Sequence, residues 1–190
     1  VGEHHHDRGD EQDPEQQVAV VHRRDLVSRV LEDGTRHPPG AIGSELDPAR
    51  LGIETERRIP REWRASDVTA DTMMLGDTLS ARFITADRKP VTEPMTGWRN
   101  AAIMAGHWVL HGFGMFVVEE KASGTFVGRV GPFYPPVWPG FEVGWGVATE
   151  FRGKGYAAEA AGAAIDWSFT TFELDRIIHC IDRENTASQA

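Results

Sequence analysis

Six consecutive residues, Arg152-Gly153-Lys154-Gly155-Tyr156-Ala157, join two cations and two glycines at the start of an alanine-rich run. That combination suits a bulky anion. The first N–H groups of a helix lack internal partners, and the helix dipole places partial positive charge there. Gly153 and Gly155 let the backbone approach without a Cβ in the way. Arg152 and Lys154 add full charges, which fit a pyrophosphate better than a lone carboxylate. The first helical turn carries no acid, Glu159 being the first, although acids usually occupy that turn. The vacancy leaves the negative charge to a ligand. Just upstream, Phe141, Val143, Trp145 and Val147 alternate with Glu142, Gly144 and Gly146. This spacing predicts a strand with one large apolar face and one almost bare face, whose single carboxylate stands at its start.

Spacing decides which anion. A Walker loop needs Gly and Ser or Thr where this chain has Ala148 and Gly155. The dinucleotide fingerprint is met only if alanine replaces its third glycine. The pattern that fits is Arg-x-x-Gly-x-Ala at Arg152, Gly155 and Ala157. It resembles the acetyl-CoA signature of the GNAT N-acetyltransferases. The likeness continues through Glu142 to Val147, the helix to Phe172, Asp175 to Ile178, and Glu184 to Ser188, in the manner of the RimJ/RimL-type branch. Upstream, Glu54 to Arg57 and Arg61 to Asp67 look like that branch's opening strand and first helix. The resemblance covers most of residues 51–190.

Other side chains with chemical potential read more plainly. His107 and His111 stand i, i+4 on a predicted helix, but no acidic or cysteine third ligand lies at helical spacing nearby, so ordinary surface or groove histidines are expected. His4-His5-His6 falls in an acidic, polar tail. No metal is expected. Cys180 reads as a small buried apolar residue, because no basic helix start adjoins it.

The elements that must position the site follow from periodicity. Val1 to Gln17 reads as disordered. Val18 to Leu31 permits a helix, and the His37 to Gly40 stretch is linker-like. Residues 1–50 are therefore expected to be an extension, and 51–190 the acetyltransferase domain. Ile53 to Trp63 is expected to be a first strand that Pro60 confines to an edge or bulge. Ser66 is expected to cap a short helix. Ser80 to Lys89 reads as a loop. Thr92 to Leu110 reads as a helix capped by Thr92, with Trp98, Ala102, Met104, Ala105 and Val109 as its apolar stripe. Gly114 to Lys121 and Thr125 to Phe133 form a hairpin. A proline-rich loop carrying Tyr134 and Trp138 leads into the central strand. These two aromatics can touch substrate or cover the sheet edge. The helix from Gly155 to Phe172 keeps a thin alanine face and a stripe of Ala161, Ile165, Phe169 and Phe172. Asp175 to Ile181 is a strand with Ile177, His179 and Ile181 on one face.

Composition sets the outer bounds. The 190 residues, 40% hydrophobic with 6 Trp and 9 Phe, suit one cored domain plus a tail. A net charge of −9 argues against broad nucleic-acid binding. No apolar run is long enough to span a bilayer, and the polar start carries no secretory core. One cysteine fits a reducing cytoplasm.

The resemblance implies an α/β fold: a mixed, largely antiparallel sheet flanked by helices. It implies acetyl-CoA as co-substrate and a primary amine of unknown identity as acceptor, and it leaves room for a homodimer. In the family a helix and two strands follow the position of Asn185, so a C-terminal truncation is expected. By the same likeness, backbone groups of Trp145, Gly146 and Val147 hold the pantetheine arm, and the Val147 N–H faces the thioester oxygen. The turn residues Arg152, Gly153, Lys154, Gly155, Tyr156 and Ala157 anchor the pyrophosphate, and Asn185 touches the arm, with Ser188 a second match. Glu142 is the expected general base; it stands about 16 Å along the strand from Val147, far for direct contact with the thioester, so a water chain or a bent substrate route is expected. A binding module that holds CoA without turnover, or an inactive fragment, is the alternative.

Overall fold

The computed structural model describes residues 16–22 and 58–189. Its centre is one six-stranded sheet. The strands are β1 (Gln16–His22), β2 (Arg58–Arg61), β3 (Phe116–Glu120), β4 (Phe126–Phe133), β5 (Glu142–Val147) and β6 (Arg176–Asp182). Their spatial order is β1-β6-β5-β4-β3-β2. Every neighbouring pair is antiparallel except β5 and β6, which run parallel. The sheet is thus mixed and largely antiparallel, as expected.

Two helices and a short third pack beside the sheet: α1 (Asp67–Gly76), α2 (Thr78–Ile84) and α3 (Pro94–His111). The alanine-rich α4 (Tyr156–Thr171) covers the face formed by Val143 and Ile177, burying Ala164 and Phe169 against them. A final short helix, α5, spans Thr186–Gln189. No helix among the described residues is long and apolar enough to cross a membrane.

Several expectations are corrected. The helix permitted from Val18 is a strand over Gln16–His22, paired residue for residue with β6, Ala19 opposite His179. Three valines within four residues favour extended backbone, and the open edge of β6 supplies the partner. Residues 23–31 lie outside the described residues, as does the tail before Gln16. The first strand is only Arg58–Arg61, with residues 51–57 not described. Pro60 sits on the outermost strand, where one side needs no donor.

Ser66 makes no side-chain cap. Asp67 instead folds back to accept the Arg64 N–H at 2.7 Å and both guanidinium arms of Arg61 at 2.7 Å. Burial alone would push Asp67 up, but those bonds hold it below its ordinary value. The expected loop at Ser80 is largely helix: α2 begins at Thr78, capped by Asp77, which accepts the Ser80 N–H at 2.9 Å. Glu93, without a side-chain bond, replaces Thr92 as the cap of α3. The buried face of α3 is Gly97, Ala101, Met104, His107 and Trp108, whereas Trp98 and Val109 are 56% and 66% exposed. Of the expected stripe, Met104 is buried and Ala102 and Ala105 are half-buried, so the true inward face is turned slightly away from Trp98 and Val109.

A second buried ion pair, besides Arg61 with Asp67, ties α1 to the sheet. Arg129 of β4 reaches Asp71 of α1 with both carboxylate oxygens at 3.2 Å from one nitrogen. Asp71 is wholly buried.

Candidate active site

β5 is paired with β4 along its whole length, from Phe133 opposite Glu142 to Gly128 opposite Val147. With β6 it is paired only where Glu142 stands opposite Ile178. There the Ile178 N–H donates to the Phe141 carbonyl at 3.0 Å. The next rung of a parallel ladder would join the Cys180 N–H to the Val143 carbonyl. It does not form. The Cys180 N–H donates instead to Glu142 Oε1 at 3.0 Å, and the Val143 carbonyl accepts from His179 Nδ1 at 2.6 Å. A side chain from each strand caps the backbone group the other strand leaves over. Buried backbone groups need such partners, so the two caps let the sheet part at this point.

A cavity of about 200 Å³ follows the opening. Glu142, His179 and Cys180 line it, and Phe83, Ile84 and Met115 add apolar wall. The bare face of β5 is filled by those walls. A Cβ on Gly144 would lie 2.8 Å from the end of Met115, and one on Gly146 3.0 Å from the end of Ile84. These glycines therefore make room for side chains that shape the cavity.

Glu142 is only 6% exposed. Trp138 Nε1 donates to its Oε2 at 2.7 Å, while Cys180 holds Oε1. Burial raises the pKa of this carboxyl, and the bonds from Cys180 and Trp138 pull it partly back. Trp138 thus supports the acid from the proline loop, a contact that the sequence left open between substrate and edge. Cys180 also lines the cavity, but burial, with the Glu142 charge adding, pushes its thiol up to about 12. It is half-buried and a poor nucleophile.

The glycine turn lies beyond the far end of β5, after a 3-10 turn over Thr149–Phe151. Gly153 and Gly155 both take left-handed backbone, φ 71° and 78°. A Cβ on Gly153 would meet open space. Arg152 is drawn in rather than splayed outward: Nε donates to the Val147 carbonyl at 3.2 Å and Nη2 to Ser80 Oγ at 2.8 Å. Lys154 holds its ammonium 5.4 Å over the Phe151 ring. The Tyr156 hydroxyl donates to Glu120 Oε1 at 2.9 Å, which pins the first turn of α4 to β3. Ala157 follows in that turn. Because α4 starts at Tyr156, Glu159 falls within its first turn. The expectation that this turn carries no acid is therefore corrected.

The strand's alternation settles which backbone groups meet the opening. The Phe141, Val143 and Val147 carbonyls all point toward it, each taken by a partner on that side. Trp145 shares their parity. Gly146 turns the other way, its carbonyl lying against Gly128 of β4. The backbone groups of Trp145 and Val147 thus border the opening, and those of Gly146 do not. Asn185 lines the cavity near α5, and the Ser188 hydroxyl accepts from Trp145 Nε1 at 3.3 Å.

One histidine of the pair on α3, His107, is committed elsewhere. His107 Nδ1 donates to the Phe113 carbonyl at 2.7 Å, and Nε2 accepts the Tyr134 N–H at 3.1 Å. Both ring nitrogens are used, leaving none for a metal. Among the described residues no group of three or more His, Cys, Asp or Glu is placed to hold a metal ion. His179 and Arg129 went unremarked as site residues. The signal for His179 was a polar ring at an alternation position shared with Ile177 and Ile181.

The site thus combines a sheet parted between two parallel strands with a glycine turn and a helix N-terminus beyond the far end of β5. Comparison with known proteins makes this specific. Residues 57–190 match the family described as acetyltransferase (GNAT) domain. The chain belongs to that family. It is 32% identical over 80 residues to the uncharacterized protein YkkB of Bacillus subtilis, covering 41% of this chain and 46% of that one. The match therefore spans less than half the length of that curated relative. Among solved structures, an acetyltransferase from Agrobacterium tumefaciens is 28% identical with a TM-score of 0.63, over 72% of this chain and 77% of that one. RimJ from Mycobacterium smegmatis, solved with CoA-disulfide, shares the fold at 24% identity and a TM-score of 0.54, over 70% and 66%.

Proposed function

We propose that the chain is an acetyl-CoA-dependent N-acetyltransferase that moves the acetyl group directly to a primary amine. The observation that carries this reading is the capped parting of β5 from β6, with Glu142 buried at its head and the glycine turn at its foot. In this reading the amides of Gly153, Lys154, Gly155, Tyr156 and Ala157 hold the pyrophosphate, with the charges of Arg152 and Lys154 assisting. Trp145, Val147 and Asn185 hold the pantetheine arm. This remote binding orients the thioester. Glu142 takes the proton of the incoming ammonium, directly or through one water, and its raised pKa brings it nearer to working pH.

Two measurements test the reading. Acetyl-CoA at a hundred times its Kd should stabilise the full chain by about 2.7 kcal/mol, because a ligand that binds only the folded state shifts the equilibrium by mass action. NADH and ATP should do far less. Thiol release from acetyl-CoA is then followed with an alanine-initiated peptide, spermidine, kanamycin and 2-phenylethylamine. Stabilisation without thiol release from any of them would favour a CoA-binding module. Stabilisation by NADH instead of acetyl-CoA would reject the assignment altogether.

The base has its own test. Glu142→Gln should cut the rate by about 10²-fold well below the amine's pKa, where the acceptor is protonated. The deficit should shrink as pH approaches that pKa, because solvent then deprotonates the amine. A constant deficit across pH would move the proton transfer to another group.

A further inference from the structure

Two buried titratable groups in the cavity have no task in the reading above, Arg129, which is ion-paired with Asp71, and His179. His179 is 6% exposed and lines the same space as Glu142. Its Nδ1 must carry the hydrogen, since its partner at 2.6 Å is the Val143 carbonyl, which can only accept. That bond fixes the tautomer and leaves a lone pair on Nε2. No partner for Nε2 exists among the described residues. A lone pair without a partner inside a protein is costly, and such a group calls for an explanation. The cap on Val143 accounts for Nδ1 alone; an asparagine would serve there equally well.

We propose that His179, through Nε2, carries the second proton of the transfer: it takes the proton that the attacking nitrogen sheds as the amide forms and returns it to the departing thiolate. This rests on the N-acetyltransferase reading. The step balances as follows. The ammonium gives its first proton to Glu142. The freed nitrogen pair bonds to the thioester carbonyl carbon as the C=O π pair moves onto oxygen, which leaves the nitrogen with one proton too many. His179 Nε2 accepts it. The oxygen pair then re-forms C=O, the C–S bond breaks with its electron pair on sulfur, and the imidazolium protonates that sulfur. The products are the amide and the CoA thiol, with one proton passing from Glu142 to water.

The surroundings suit a ring that must begin neutral. Burial lowers the His179 pKa, and the bond to Val143 offsets only part of that. The ionisable groups bordering the cavity are Arg129 from β4, Glu142 from β5, and Cys180 and Asp182 from the same strand as His179. Asp182 is engaged by Arg88 at 2.8 Å, Arg129 by Asp71 at 3.2 Å, and Glu142 by two N–H donors. On the other edge of β6, β1 places uncharged Ala19 opposite His179. The Trp145 ring, 5.2 Å away, adds an apolar wall.

His179→Asn in the full chain is the test, because the Asn amide can donate to the Val143 carbonyl in place of Nδ1 yet has no basic nitrogen. With the amine that supports thiol release in the wild type, kcat should fall about 10²-fold or more. The acetyl-CoA Kd should stay within about twofold, and the low-pH limb of kcat that follows the imidazole should vanish. A kcat within threefold of wild type, or a large loss with that limb retained, would overturn the proposal. Should the variant fold poorly, ¹⁵N NMR of the wild-type imidazole decides. Its Nε2 resonance should move when CoA and the amine bind together, and an unmoved resonance would count against the assignment. Wild-type protein that binds acetyl-CoA but releases thiol with no amine rejects the transferase reading and the second proton step together. A working wild type with an indifferent variant rejects the role of His179 alone.

Discussion

Gly155→Val should lose more than about 10³-fold in acetyl-CoA affinity, some 4 kcal/mol, while the sheet stays folded. Gly155 holds φ at 78° at the start of α4. An ordinary L-residue there costs about 1–2 kcal/mol, and a β-branched one more. The turn can relieve that strain only by rearranging, which withdraws the amides from the anion. Arg152→Ala should be far milder, about 1 kcal/mol, because its guanidinium is exposed and already bonded to Val147 and Ser80. The ordering matters: the backbone anchors and the side chain assists. Calorimetric titration of both variants with acetyl-CoA and with pantetheine checks it. Pantetheine lacks the pyrophosphate, so its weaker binding should barely respond to either change. Normal acetyl-CoA binding by Gly155→Val would remove the turn from the site.

Arg129→Ala should cost about 3–5 kcal/mol of stability, the usual outcome when one partner of a buried pair is removed and the other stays. The midpoint of urea unfolding should fall with little change in slope. Asp71 adds a sign that can be checked. Burial already pushes its carboxyl above the ordinary value, the Arg129 charge opposing this and Asp67 adding to it. Without Arg129 the upward shift grows. A carboxyl whose folded pKa is raised binds more protons in the folded state than in the unfolded state, so stability rises as pH falls through that window. The variant should therefore be closer to wild type at pH 5 than at pH 8. An equal deficit at both would mean that Asp71 is not left as an isolated charge.

How far these features could be seen in the sequence depended on how local their causes are. The strand through Val143 and Trp145 and the helix after Gly155 were legible, because alternation and a glycine–alanine switch lie within a few residues. The hairpin around Ser123 was legible for the same reason. The strand at Gln16–His22 was not, since its partner is about 160 residues away and a short apolar run serves helix or strand equally. The inward face of α3 was misjudged because Trp98 and Val109 stay outside, a matter of tertiary packing. At the site, Glu142 drew attention by its position on a bare face, and it lines the cavity. Its burial was not legible, because that depends on Trp138 crossing from a loop and on a backbone N–H 38 residues downstream.

The two caps at the head of the opening also bear on how quickly a ligand can enter. Had Cys180 and Val143 bonded to each other, the strands would have to unzip first. Apparent affinity would then fall by the fraction of molecules found open. Here the chain's own Glu142 and His179 satisfy both groups, so the parted form is already the bonded one. Association should then follow a single exponential whose rate rises in proportion to acetyl-CoA concentration, without the plateau that a slow opening step imposes.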